Sequence, residues 1–178
     1  MKIRRVVTGH TPDGKAIVAS DAEVDAITFP TPSGLECEFL RIWGADSAPT
    51  FPDDGSPHQV GAYFPPVGGF RFALFTVPPE SGKPSGQFYA GEALGELEEK
   101  MPGLIGHMEP DSPGMHTSDT IDFEYIISGE VWLELDDGAE VHLRPGDTVV
   151  QNGTRHAWHN RGSEACLMAS CLIGAHRR

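Results

Sequence analysis

Hydrophobic and polar residues alternate in short stretches over the last third of the chain, and each stretch ends at a turn containing glycine or polar residues. Alternation with a period of two is typical of strands with one buried face, and regular short strands indicate an antiparallel barrel or jelly roll. Asp137-Gly138 lies between two such stretches, which is a strong hairpin signal. The predicted strands are Asp122–Ile127, Glu130–Leu135, Ala139–Leu143, Thr148–Gln151, His156–Asn160 and Glu164–Ile173.

The N-terminal part shows a sparser strand pattern. Ile3–Val7 and Lys15–Ala19 flank a predicted turn at Thr11–Gly14. Glu36–Trp43 and Phe70–Val77 are rich in aromatic and aliphatic residues and are bounded by Pro or Gly, which favours two further strands. Between them, residues 48–69 are crowded with Pro, Gly and Asp. A loop of that length in a compact domain is usually functional or packed against a partner.

One segment has a convincing helical pattern. Glu92–Met101 places Ala93, Leu94 and Leu97 on one face together with its last residue, and a Pro-Gly pair follows. The sequence therefore predicts one short helix that packs on the barrel.

Length and composition favour a single domain. The chain has 178 residues, enough to bury a core, and its 21 Gly and 15 Pro are scattered as expected for many turns between short strands. No internal repeat is visible, which argues against a duplicated two-barrel protein. We expect N-terminal strands, the long loop and the helix in residues 1–105, packed on a core of residues 106–178 to make one structural domain.

The charge excludes several function classes. Thirteen basic residues against 26 acidic ones give a net charge of -13, which repels phosphate backbones and anionic lipid, so no nucleic-acid or membrane partner is expected. No apolar run is long enough to span a bilayer, and the basic first residues are not followed by the apolar stretch of a signal peptide. The three cysteines have no metal-type spacing, which indicates free thiols and a cytoplasmic location.

Two motifs in the C-terminal part carry chemistry. The first runs from Gly114 through His116 and Ser118 to Asp122 and Gly129. The second has Pro145-Gly146-Asp147 before a strand and then Gly153, followed by a histidine and an asparagine at His156 and Asn160. In order and spacing these motifs resemble those of the cupin family, whose fold is a small double-stranded β-helix that often holds one metal ion. The resemblance covers about seventy residues and implies a jelly-roll cupin barrel with extra N-terminal strands.

The resemblance also implies a metal site. By position, His116, Asp122 and His156 are the ligands that remain, while Ser118 stands where the family has a second histidine and Asp122 replaces a glutamate. Two imidazoles and a carboxylate suit one divalent transition metal (Fe, Mn, Zn, Ni or Cu), and three protein ligands would leave positions open for substrate. The alternative is a hydrogen-bonded polar core without a metal, as in metal-free members of the family.

Side-chain parity extends the site. Glu124 shares a strand face with Asp122, and buried acids are costly without a metal or a hydrogen-bond partner, so both are candidate catalytic residues. His116 and Ser118 point one way along the chain, as do His156, Trp158 and Asn160. The predicted substrate-binding residues are Ser118, Trp158, Asn160 and Arg71, the last either forking onto a carboxylate or exposed beside an acid. His142 has outward parity and is predicted to lie on the surface.

These features predict a small metal-dependent cupin enzyme acting on a small oxygenated organic molecule. The family includes lyases, decarboxylases, cyclases and dioxygenases, and the fold does not choose among them. The alternative is a metal-free ligand-binding or sensing module. A homodimer is also predicted, because both faces of Asp122–Ile127 carry apolar residues and the outer face needs a cover.

Overall fold

The computed structural model describes residues 1–31, 35–80 and 92–178, without the side chains of 92 and 93. Eleven strands and one α-helix lie in this part of the chain. They are β1 (Lys2–His10), β2 (Ala16–Asp25), β3 (Ile27–Pro30), β4 (Glu36–Ala45), β5 (Phe70–Val77), α1 (Glu92–Lys100), β6 (Thr120–Ser128), β7 (Val131–Glu134), β8 (Glu140–Leu143), β9 (Thr148–Gln151), β10 (Ala157–His159) and β11 (Cys166–Gly174). The predicted all-β jelly roll with one short helix is confirmed.

Two antiparallel sheets form the barrel. The larger sheet has the strand order β3-β4-β5-β11-β6-β9, and the smaller has the order β10-β7-β8. The main hydrophobic core contains Ile126 and Met168 from the larger sheet and Val131 and Leu133 from the smaller one. Alternate residues of β6 and β11 point into it, which explains the period of two in the sequence.

A second core lies between the N-terminal strands and the helix. Phe39 on β4 and Ala73 on β5 pack against Leu97 of α1 and Met101 just after it. The predicted helix is therefore confirmed, and its apolar side covers the inner face of β4 and β5. The Ala93 side chain, assigned to the same face, lies outside the described residues.

Residues in the tight turns have left-handed backbone angles at positions where the sequence predicts turns. In the hairpin between β7 and β8, Asp137 and Gly138 have φ angles of 58° and 71°. Gly153 is required for a second reason besides its φ of 60°: a Cβ there would lie 2.8 Å from the carbonyl oxygen of Ser118. This glycine lets the turn after β9 approach the segment that carries the first motif.

The N-terminal residues extend the barrel only in part. β3, β4 and β5 join the larger sheet, whereas β1 and β2 pair only with each other and form a separate hairpin that lies against β4. In the part of the chain that the structure describes, no helix is long and apolar enough to cross a membrane.

Candidate functional site

Two histidines from the two motifs lie side by side, with their backbones paired and their rings in contact. The backbones of His116 and His156 pair as an antiparallel bridge, with N–H···O distances of 2.9 and 3.0 Å in the two directions. Their ring centroids are 4.2 Å apart. His156 is buried and His116 is half-buried, so the pair is largely shielded from solvent.

Backbone carbonyls fix the tautomer of both rings. His116 Nδ1 donates to the carbonyl oxygen of Gly114 at 3.0 Å, and His156 Nδ1 donates to that of Thr154 at 3.0 Å. Because each Nδ1 carries the proton, each Nε2 keeps its lone pair, which is the arrangement of metal-binding or hydrogen-bond-accepting imidazoles. Burial lowers the pKa of both, that of His156 to about 4 with a further contribution from His116. Both rings are therefore neutral near pH 7.

Two buried carboxyl groups lie on the inner face of β6. Asp122 and Glu124 are 4% and 7% exposed, and in the described chain Asp122 Oδ1 and Glu124 Oε2 have no hydrogen-bond partner. Glu124 Oε1 accepts a hydrogen bond of 2.8 Å from the Ser170 hydroxyl on β11. Oxygens buried without partners are costly, and such atoms mark a place where a proton, a cation or a ligand is accommodated.

The two carboxyl groups differ in proton affinity. Burial raises the pKa of Glu124 to about 8, the Ser170 hydroxyl opposes the shift, and the neighbouring Asp122 carboxylate adds to it. Burial also raises the pKa of Asp122 to about 6, opposed by a hydrogen bond from Thr120. At neutral pH, Glu124 is therefore mostly protonated and Asp122 mostly ionised.

Short polar side chains surround these groups. Ser118 is fully buried and its hydroxyl lies 2.7 Å from that of Thr120. Gln151 on β9 is paired in register with Asp122, and its Nε2 is also buried without a partner in the described chain. Thr154 donates to the Gln151 side-chain oxygen, which ties the second motif to the floor of the site.

Two of the three predicted metal ligands are in contact, and Asp122 as the third ligand stays a prediction. Among the described residues, no group of three His, Cys, Asp or Glu side chains is placed to hold a metal ion. His116 and His156 meet at the bridge, whereas Asp122 lies six residues further along the chain, inside the larger sheet. The two imidazoles are the predicted ligands whose rings the structure shows in contact.

The long loop supplies aromatic residues that sequence reasoning did not assign to the site. The Phe64 ring lies 4.5 Å from that of His107 and 6.3 Å from that of His116, centroid to centroid. The adjacent Tyr63 is close enough to Glu124 and Asp122 that these carboxylates add to the burial that raises its pKa. The crowding of Pro and Gly in residues 48–69 was the available signal, since it predicts a functional or packed loop without naming its residues.

Arg71 and Asn160, predicted to bind substrate, contact the backbone. Arg71 is buried and donates to the carbonyl oxygens of Ala45, Ala62 and Phe70 and to the Asp46 carboxylate. These contacts hold the long loop against the barrel. Asn160 donates to two carbonyl oxygens, those of Val77 and Glu164, and accepts from the N–H of Gly162, so it organises the turn before β11.

The two remaining residues singled out from the sequence, Trp158 and His142, lie on different faces. Trp158 packs beside the main core and edge-on to the His156 ring at 5.7 Å, so it borders the site. His142 lies on the outer side of the smaller sheet, where it stacks on Trp132 at 4.0 Å and contacts Glu130 at 2.8 Å. The outward parity predicted for His142 agrees with this position.

Known proteins resemble the part of the chain that carries the site. Residues 105–172 match a family model described as the cupin domain. Phomopsin biosynthesis cluster protein C' of Diaporthe leptostromiformis is 43% identical over 51 residues, which are 29% of this chain and 27% of that protein. The cupin-domain-containing oxidoreductase virC of Hypocrea virens is 41% identical over 46 residues, 26% of this chain and 24% of its own. The cupin-domain-containing oxidoreductase fogC of Aspergillus ruber is 31% identical over 75 residues, 40% of this chain and 37% of its own.

These matches span well under half the length of each curated relative. Among solved structures, a predicted oxalate decarboxylase from Thermotoga maritima covers 84% of this chain and 92% of its own, with 16% identity and a TM-score of 0.46.

Proposed function

Since this chain is a cupin protein whose cupin domain spans residues 105–172, we propose that its barrel is the active site of an enzyme that acts on a small oxygenated organic molecule. One observation carries the proposal: two adjoining imidazoles whose Nδ1 atoms donate to backbone carbonyls, and two buried carboxyl groups with unpartnered oxygens, lie in the part of the chain that matches the cupin domain. A purely structural core has little reason to keep four such groups, because each costs free energy to bury.

The carboxyl pair is proposed to move protons. Near neutral pH the ionised Asp122 can accept a proton, while the protonated Glu124 can donate one. Two titratable groups whose surroundings set their pKa values apart are the usual arrangement for an acid and a base in one site. Ser170 fixes one oxygen of Glu124 at 2.8 Å, so the other oxygen, Oε2, is the one available for the transfer.

His116 and His156 are the residues that would hold a divalent transition metal. Two neutral imidazole nitrogens suit Fe, Mn, Zn, Ni or Cu, and the backbone carbonyls of Gly114 and Thr154 orient them as outer partners do in metal sites. The metal would polarise a carbonyl or carboxylate of the substrate, or present oxygen to it. Asp122 as a third ligand stays a prediction, which a ligand-deletion series tests.

Four reaction classes fit this set of groups: lyase, decarboxylase, cyclase and dioxygenase. The acid–base pair suits the first three, whereas the names of virC and fogC, both cupin-domain-containing oxidoreductases, favour the last. Oxygen uptake during turnover separates the dioxygenase from the other three. Phe64 and Trp158 border the histidine pair and would limit the substrate to a small molecule.

Metal content of purified variants tests the proposal without a substrate. Protein made without an affinity tag is incubated with each of Fe(II), Mn, Co, Ni, Cu and Zn, dialysed and analysed for metal. We expect stoichiometric metal in wild type and its loss in His156→Ala, because a single remaining imidazole binds weakly. Asp122→Asn reports whether the carboxylate is a ligand. His142→Ala is the matched control, since it removes an imidazole on the outer face.

Wild-type protein that retains none of these metals would contradict the metalloenzyme proposal. The same barrel would then be a metal-free module that binds or senses a small ligand through Ser118, Asp122 and Trp158.

A further inference from the structure

The outer face of the larger sheet carries a broad surface made of uncharged residues. On β5, β11, β6 and β9, the residues that alternate with the buried positions point outward. The register aligns them in rows across the four strands. One row is Phe72, Cys171, Phe123 and Val150, and the next is Leu74, Ala169, Tyr125 and Thr148. We call these two rows the outer face.

The large residues of the outer face are unusually exposed for a sheet centre. Phe72, Phe123, Tyr125 and Val150 are 41%, 45%, 48% and 55% exposed. Isolated apolar residues on a surface need no explanation, but a contiguous apolar patch on a sheet marks an interaction surface. The β1–β2 hairpin covers only the β4 end of this side, where Arg5 donates to the carbonyl oxygen of Ile42 at 3.1 Å.

The shape of the outer face is complementary to the same face of a second copy. The outward residues of β11 in the two rows are small, Ala169 and Cys171, and they form a shallow channel. Beside it on β6, Phe123 and Tyr125 form a ridge. A rotation of 180° about an axis in the contact plane, parallel to the strands and midway between β11 and β6, exchanges these two strands. It therefore places the ridge of one copy over the channel of the other, and β5 over β9.

We propose that two copies of this chain pack through their outer faces about such a two-fold axis, in the aligned sheet-on-sheet manner. The pairing sets Phe123 against Cys171 and Tyr125 against Ala169 of the second copy, large against small in each case. Sheets packed in this way lie about 10 Å apart with strands about 30° from parallel. This contact is isologous, so it closes at two copies.

Area and charge both support a second copy as the occupant. Taking roughly 200 Å² for a large side chain, the exposed parts of the large residues in the two rows and of their apolar neighbours Ile127 and Ile173 come to about 540 Å² per copy. Two copies would bury about 1,100 Å² in total, which is just above the roughly 1,000 Å² that a biological interface needs. A chain with a net charge of -13 repels its own copies over most of its surface. The outer face lacks charged residues, so two copies can meet there without bringing carboxylates together.

A neighbouring groove also fits this arrangement. A cavity of about 440 Å³ lies between β1 and the loop around Phe51, and its wall includes Phe70 and Phe72 at the border of the outer face. Because β9 is an edge strand and lies opposite β5 in the pairing, the edge of the second copy would enter this groove. The carboxyl groups of β6 point to the opposite side of the sheet, so the proposal does not depend on the catalytic one.

Sedimentation equilibrium of wild type and charge variants tests the pairing. We expect a dimer at tens of micromolar, and a Kd raised at least about 100-fold in Phe123→Lys and in Tyr125→Lys, because an ammonium group would be buried against an apolar face. Val141→Lys is the matched control: Val141 is 48% exposed, like Tyr125, but lies on β8 in the other sheet. Circular dichroism checks that each variant is folded.

The Cys171 thiol gives a second readout that needs no substitution. Cys37 and Cys166 are buried, so an aromatic disulfide reagent reports Cys171 in the native protein. We expect its reaction to slow at least about tenfold from nanomolar to tens-of-micromolar protein, since only free subunits react and the dimer fraction rises with concentration. A monomeric wild type, a dimer that survives both lysine variants, or a reaction rate independent of concentration would each overturn the proposal.

Discussion

Replacing Glu124 by Gln should make the protein more stable at neutral pH. Glu124 is 7% exposed, and its pKa is about 8 in the folded chain against an ordinary value of 4.5. Between these two values the folded chain holds a proton that the unfolded chain releases. The stability linked to this group is therefore fully present below about pH 4.5 and is lost as the pH rises through about 8.

The size of the effect follows from the pKa shift. Each unit is worth about 1.4 kcal/mol, so at pH 7 the ionisation of the unfolded chain costs wild type on the order of 3 kcal/mol. Glutamine has the same shape, is neutral at every pH, and keeps an oxygen that accepts the hydrogen bond of the Ser170 hydroxyl. Glu124→Gln should consequently gain about 2–3 kcal/mol over wild type at pH 7.

Urea unfolding with a chelator present measures this difference at several pH values. The gap in the free energy of unfolding should be small at about pH 5 and largest at about pH 8. Glu99→Gln, an exposed carboxyl on α1, serves as the control and should show no comparable trend. A gap that does not change with pH, or a variant less stable than wild type at about pH 8, would refute a buried protonated Glu124. Since the substitution also removes the proposed acid, stability and activity should change in opposite directions.

Two other substitutions probe the site and its support. Ser118→His adds an imidazole with the parity of His116 and should tighten metal binding at least about tenfold in a chelator competition, because it supplies a third ligand. Unchanged affinity would mean that the new imidazole does not reach the metal. Arg71→Met should destabilise the fold by about 3 kcal/mol in urea unfolding, since it leaves buried carbonyl oxygens and the Asp46 carboxylate without their donor. A loss below about 1 kcal/mol would exclude Arg71 as the anchor of the loop.

Much of the fold was predictable from the sequence because its signals are local. Strand alternation located β4, β5 and the C-terminal strands to within a few residues. Asp137-Gly138 marked the β7–β8 hairpin, since a two-residue turn of this kind needs left-handed backbone angles that few residues accept. The helix was identified from apolar spacing alone. The hairpin of β1 and β2 was located, but its separation from the barrel was not, because strand patterns do not state which strands pair.

For the site, the residue types and the strand faces that they occupy were predictable from the sequence alone. The tertiary structure decided which side chains are in contact. Parity placed Asp122 and Glu124 on one inner face, and both are buried there. It did not show that His116 and His156 pair at a backbone bridge, because a strand face extends over several residues while a metal site requires atoms a few ångströms apart. Arg71 likewise has a chemistry that suits substrate, yet the backbone carbonyls of a distant loop take its donors. Such contacts join residues far apart in the chain, so only the folded structure determines them.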